Sequence, residues 1–144
     1  MLDFKKLNII TSLICTTLFL FLMFIPELIF QLFGAVGNET AYIVARRTSM
    51  FFMGYAIISF FSRTAQPSII RQAISLGIAL SMFGLSILGI FEFIRGSVGV
   101  GVFLSVSLEI FLFVSYSSIW LADRKGKAKN TAPNRKSRRF FVDR

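Results

Sequence analysis

The chain has no histidine and only one cysteine. Without histidine there can be no bis-His haem, no His-ligated zinc or copper site and no Ser-His-Asp triad. A single cysteine cannot close an intramolecular disulfide or form a Cys-x-x-Cys redox pair. Cys15 lies inside an apolar run and reads as a packing residue. Charge is also scarce. Charged residues make up 16% of the chain, against about 25% in a soluble domain. Acidic residues are the scarcer sign, 7 against 16 basic, for a formal net charge of +9. Nothing in this composition calls for a resident cofactor or metal.

What fills the chain instead is apolar sequence. Hydrophobic residues account for 55% of the 144 residues, and 18 of them are Phe. They fall into four runs, 7–33, 41–61, 68–91 and 97–121. A bilayer-crossing helix needs roughly 20 predominantly apolar residues at ~1.5 Å rise each, and each run is that long. The expected fold is all-α, a four-transmembrane-helix antiparallel bundle over 1–121. A disordered basic cytoplasmic tail is expected over 122–144. The connections between runs are short, which forces consecutive helices to be antiparallel neighbours. Lys5 and Lys6 precede the first run in the manner of a signal peptide, but the run exceeds the ~7–15 residues of such a segment. It reads as a retained helix, with Pro26 bending it.

Orientation follows from the basic residues, which accumulate on the cytoplasmic side. With the N-terminus inside, the inner segments hold Lys5, Lys6, Arg63, Arg71 and the nine basic residues from Arg124 onward. The outer ends hold only Arg46, Arg47 and Arg95. Both termini are therefore expected in the cytoplasm, with the protein in an inner (plasma) membrane. The tail suits anionic lipid, at ~1 kcal/mol per basic residue near the surface. Nucleic acid shares those electrostatics but is not the expected partner. A second copy of the chain or another membrane protein is an alternative partner.

The informative residues are the charges inside apolar runs. A charge at mid-bilayer costs at least ~2.5 kcal/mol and tends to face the bundle interior. Arg46 and Arg47 cannot lie outside the second run, because 48–61 alone gives only ~21 Å of helix, short of the ~30 Å hydrocarbon core. Glu27 lies as far before Gly37 as Arg47 lies after it, so a hairpin turning there predicts an ion pair between them. Glu109 lies near the middle of the fourth run. It shares a helical stripe with Gly101, Ser105, Leu112 and Tyr116, and small residues of this kind mark close helix packing. Glu27, Arg46, Arg47 and Glu109 thus form an expected intramembrane polar cluster, either structural or lining a polar pocket. No catalytic residue and no metal ligand is assigned. The third run carries two small-residue faces, Ala73, Gly77, Ser81 and Gly84 on one and Ser75, Ala79, Ser86 and Gly89 on the other. Tyr116 and Trp120 suit an interfacial aromatic belt.

The run Gly37-Asn38-Glu39, followed by Ala45-Arg46-Arg47 and then 50–63, resembles small bacterial four-helix membrane proteins of unknown function. In size and layout the chain is similar to the DoxX-like group over residues 20–121. That resemblance implies a bacterial inner-membrane bundle and supplies no reaction. A non-enzymatic membrane bundle assisting partners is the leading functional reading. The first alternative is a small proton- or ion-coupled transporter using Glu109 and the Arg46/Arg47 cluster. It resembles the small multidrug exporters in span count and embedded Glu, although here the Glu lies in the last run rather than the first. The second alternative is a membrane enzyme acting on lipid or glutathione. The chain is similar in length and basicity to the glutathione-metabolising membrane family, whose Arg- and Asn-rich motif it lacks.

Overall fold

The computed structural model describes residues 3–131, and all the regular structure among them is helical. The five helices are α1 (Phe4–Phe24), α2 (Pro26–Leu32), α3 (Glu39–Ser62), α4 (Ile69–Ile94) and α5 (Val102–Thr131). Three of them, α1, α4 and the Val102–Gly126 part of α5, are long and apolar enough to cross a membrane. α3 has the length, but Glu39, Arg46 and Arg47 load its first half with charge and keep it out of that set.

Local sequence accounts for the helix ends. The side chains of Asn38 and Ser68 accept from the backbone N–H of Ala41 (2.8 Å) and Arg71 (3.2 Å), each covering an orphan donor of a first turn. Gly34 (φ 64°) and Gly96 (φ 73°) follow the ends of α2 and α4 in the left-handed region. There Ala35 N–H reaches Phe30 O and Ser97 N–H reaches Glu92 O, so the two helices stop on the same motif. The first apolar run is not one helix over 7–33. It breaks at Ile25 (φ −139°, ψ 59°), and Pro26 opens α2. A proline has no N–H to give the preceding turn, and it disfavours the helical region for the residue before it.

Two antiparallel hairpins result. α1 packs along α3, and α4 packs along α5. The register of the second hairpin holds over its whole length. Arg71 meets Asp123, Phe83 stacks on Phe113, Gly89 faces Val106 and Phe93 meets Phe103. In the first hairpin, Ser62 meets Asn8, Ser12 donates to Ala56 O, and Phe30 meets Tyr42 edge-on. The face of α4 carrying Ser75, Ala79, Ser86 and Gly89 is the one turned to α5. On its other face Ala73, Gly77 and Gly84 are open, while Ser81 meets Tyr55 of α3 at 2.7 Å.

The hairpins join at both ends. At the end holding the N-terminus, Phe4, Leu7, Ile78, Met82, Leu112, Tyr116 and Ile119 form a common core. Arg71 sits over the Phe4 ring (4.2 Å to its centroid) and donates to Ala65 O. At the other end Gly99 N–H donates to Phe33 O at 2.5 Å. Gly101 lies so close to the Leu32 carbonyl that a Cβ would collide with it.

Large apolar side chains line the exterior as well as the core. Fully buried side chains include Asn8, Thr11, Ser49, Ser59 and Ser75, while Phe24, Phe51, Phe61 and Ile94 are 70–76% exposed. Such a continuous apolar exterior over small polar interior residues suits a lipid solvent, where helices associate through small and hydrogen-bonding side chains.

Two expectations about the last run change. α5 begins at Val102, because Gly96, Gly99 and Gly101 are spent on the turn and the close approach to α2. It also continues to Thr131, past the boundary at 121. Asp123, assigned above to a disordered tail, is folded against Arg71, with Nε and Oδ2 2.9 Å apart and the side chains 17% and 7% exposed. Residues 132–144 of that expected tail lie outside the described residues.

Candidate functional site

Between the two joined ends the hairpins part on the α1–α5 side, while Tyr55 and Ser81 bridge α3 and α4. A cavity of about 480 Å³ opens there, walled by α1 (Leu13, Cys15, Thr17, Leu18), α4 (Met82, Leu85) and α5 (Ser105, Leu108, Glu109, Leu112). Ile14 of α1, Ile29 of α2, Phe33 just after it and Phe52 of α3 complete it. The wall is almost entirely hydrocarbon. Leu13 is 69% and Leu108 40% exposed on the outer surface of the bundle, so the cavity communicates sideways with the apolar exterior.

Glu109 is the only carboxylate in this wall. The α5 stripe of Ser105, Glu109, Leu112 and Tyr116, which Gly101 precedes in the turn, faces inward, and Leu112 and Tyr116 are fully covered. The Oε2 atom of Glu109 is buried and has no hydrogen-bond partner. Ser86 of α4 stands beside this carboxyl, yet its single hydroxyl proton goes to the Met82 carbonyl oxygen at 2.9 Å. The carboxylate is therefore left with unfilled acceptor capacity at the edge of an apolar space. A buried acceptor in that state costs about 1–3 kcal/mol, and a ligand donor or a proton relieves it.

The four expected cluster residues do not come together. Glu109 is in the cavity, whereas Glu27, Arg46 and Arg47 are absent from its wall. Glu27 sits half-buried on α2, and Arg46 and Arg47 are exposed on α3. Among the described residues, the ion pairs are Arg71–Asp123 and Arg95–Glu92, so the Glu27–Arg47 pair is not formed. Two causes are visible. The break at Ile25 ends the continuous helix on which equal depth was counted. On α3 the small residues Ala45 and Ser49, four apart, take the buried face. At 3.6 residues per turn, that turns the next two positions outward.

Tyr116 meets two α1 side chains not expected as its partners, Asn8 and Thr11, at the N-terminal side of the cavity. The Tyr116 hydroxyl, 0% exposed, donates to Thr11 Oγ1 (3.0 Å) and lies 3.3 Å from Asn8 Oδ1. Ser62 reaches the same Asn8 oxygen at 3.4 Å. Tyr116 is thus a core residue and no part of an interfacial belt. The signal was present in α1, where Asn8, Thr11 and Cys15 recur at helical spacing within an otherwise apolar run.

A second groove, of about 420 Å³, lies on the α3–α4 side, lined by Thr48, Phe51, Tyr55, Leu80, Gly84 and Leu88 among others. Phe52, Met82 and Leu85 line both spaces and so stand between them.

The chain matches no family model, no curated protein and no solved structure.

Proposed function

We propose that the chain is a four-span, non-enzymatic membrane bundle that binds an apolar molecule in the mid-membrane cavity. The ligand carries a hydrogen-bond-donating or cationic group, which Glu109 receives. The observation that carries this reading is the buried, unpartnered Oε2 of Glu109 in an otherwise hydrocarbon wall. A neutral hydrocarbon would leave that oxygen unsatisfied, and a fully polar solute would forfeit the rest of the surface.

In this reading α3 is the fourth span, with Arg46 and Arg47 directed to the outer headgroups. Both termini lie in the cytoplasm of a bacterial inner membrane, as the DoxX-like layout implies, and the basic tail rests on anionic lipid. Assisting a membrane partner is then a matter of presenting or sequestering the bound molecule. Reporter fusions after residues 36, 65, 98 and 126 test the topology, with alternation of outside and inside signals expected.

Binding is tested with a long-chain amine and the alcohol of the same chain length, titrated into the protein in nanodiscs. The wild type should prefer the amine, and Glu109→Gln should abolish the preference while leaving the helical signal and melting intact. Equal affinity for both probes in the wild type sinks the reading.

A second reading is proton-coupled transport, favoured by the same carboxyl's access to a space shared by both hairpins. Its test is uptake of the amine into proteoliposomes under an imposed proton gradient. Gradient-independent, protein-independent uptake ends it.

A further inference from the structure

Hydroxyl groups on these helices follow a common habit. Thr16, Thr17, Ser86, Ser107 and Ser118 each donate to the carbonyl oxygen four residues back on their own helix, at 2.7–3.0 Å. Away from water, that carbonyl is the nearest partner a hydroxyl has. Ser59 of α3 and Ser75 of α4 depart from the habit. Both are 0% exposed, and the Oγ of each has no hydrogen-bond partner. Buried polar atoms are nearly always paired, with protein or with ordered water.

The two serines lie on one level of the bundle. Ser59 stands beside the Tyr116 hydroxyl. It is one turn from Ser62, whose hydroxyl reaches Asn8 Oδ1. Ser75 is placed by the meeting of α4 with α1, which run in the same direction. Arg71 covers Phe4, and Met82 and Cys15 both line the cavity. Four residues beyond Arg71 and Phe4 come Ser75 and Asn8, so these two share a depth. Ile78 and Ala79, the next residues on the face of Ser75, belong to the core that holds Tyr116. Asn8, Thr11, Ser59, Ser62, Ser75 and Tyr116 therefore bring six polar side chains from four helices to one level.

Some bonds that close this group are long. Tyr116 Oη to Asn8 Oδ1 is 3.3 Å and Ser62 Oγ to the same oxygen is 3.4 Å, against about 2.7–2.8 Å for a well-formed O–H···O bond. The group is drawn open around members that still lack partners. Its chemistry defines the guest. No carboxylate or cation belongs to it, and Arg71 and Asp123 are paired with each other. An ion placed there would be buried without a counter-charge. The guest is small and neutral, and it both donates and accepts.

We propose that this cluster is a binding site for internal water, which partners Ser59 and Ser75 and joins the two hairpins at the level of Tyr116. Such waters make about three hydrogen bonds to otherwise unsatisfied buried groups, and the six side chains supply them. Thr11 and Tyr116 are each one turn from a residue of the cavity wall, Cys15 and Leu112. The water thus lies between the N-terminal end of the bundle and the cavity of Glu109. The inference is independent of the ligand assigned to that cavity.

Radiolytic footprinting tests it. X-ray pulses split bound as well as bulk water into hydroxyl radicals, which oxidise the side chains beside which they form. With the full chain in nanodiscs, Tyr116 should be oxidised despite its complete burial. Its rate is read by mass spectrometry against Tyr42, at the far end of the bundle. Ser59→Ala with Ser75→Ala should lower the Tyr116 rate severalfold and leave Tyr42 unchanged. Each single Ala variant carries the comparison if the double form does not fold. An unoxidised Tyr116 in the wild type, with Tyr42 oxidised, overturns the proposal without any variant. Oxidation of Tyr116 that persists undiminished in the folded Ala variants overturns it as well.

Discussion

The Tyr116 hydroxyl and Thr11 Oγ1, 3.0 Å apart, join the last helix to the first across the interior of the bundle. The partners come from different hairpins, so this hydrogen bond belongs to the interface on which the whole arrangement depends. Removing the hydroxyl leaves the buried acceptor Thr11 Oγ1 short of a donor, while Ser62 still reaches Asn8 Oδ1. Tyr116→Phe should therefore destabilise the protein by about 1–3 kcal/mol, read as a lower unfolding midpoint in a detergent titration. Thr11→Val should cost a similar amount, and the double variant should cost less than the sum.

Arg71 closes the same end. It meets Asp123 at 2.9 Å, covers the Phe4 ring and donates to Ala65 O. The pair is largely shielded from solvent, so removing one partner strands a charge. Asp123→Asn should cost about 2–4 kcal/mol, between the ranges for exposed and buried pairs. A thermal melt in detergent checks it, and Asp123→Glu should recover part of the loss. A disordered segment beginning at residue 122 would make Asp123→Asn silent.

Glycine positions separate contact from open surface. Gly101→Ala drives a methyl into the Leu32 carbonyl, which belongs to backbone and cannot swing aside. A loss of about 2 kcal/mol or more is expected, in the range for overpacking. Gly77→Ala adds a methyl where nothing lies within 4 Å, and should be neutral or stabilising by up to about 1 kcal/mol through helix propensity. Unfolding midpoints of the two variants, compared under one condition, should therefore move in opposite directions or only for Gly101.

Glu27 and Arg47 should be energetically independent. In a double-mutant cycle with Glu27→Gln and Arg47→Gln, the stability changes should add within about 0.5 kcal/mol. A coupling well above that would restore the ion pair the structure lacks.

Legibility of the fold and the site differed by residue. The glycines and the N-caps Asn38 and Ser68 mark turns and helix starts through local backbone chemistry, and a linear reading reaches them. Glu109 was identifiable because a carboxylate amid apolar residues on a small-residue stripe has few places to go. Arg46 and Arg47 were equally conspicuous, yet their expected partner was misassigned. Counting depth from a turn assumes one unbroken helix, and Ile25 and Pro26 break it. It also ignores which face is turned inward, and Ala45 and Ser49 take that face. Tyr116 was placed both on the packing stripe of Glu109 and in a belt with Trp120; the stripe is what the structure keeps, and its partners Asn8 and Thr11 are more than 100 residues away in sequence.

The sequence by itself determined that the chain is helical and rich in apolar runs; it predicted four spans, where three helices, α1, α4 and α5, are long and apolar enough to cross a membrane. It also located the connections near Gly34–Gly37, Arg63–Pro67 and Arg95–Gly96. These properties depend on hydropathy, length and the conformational freedom of glycine and proline, all of which are local. Only the tertiary structure decided that the hairpins join at their ends and part on the α1–α5 side, so that Glu109 lines an apolar cavity while Arg46 and Arg47 face outward. That choice depends on which small faces pack against which. Facing surfaces such as Gly101 on Leu32 and Tyr116 on Thr11 are written in distant parts of the chain and acquire meaning only when the helices meet.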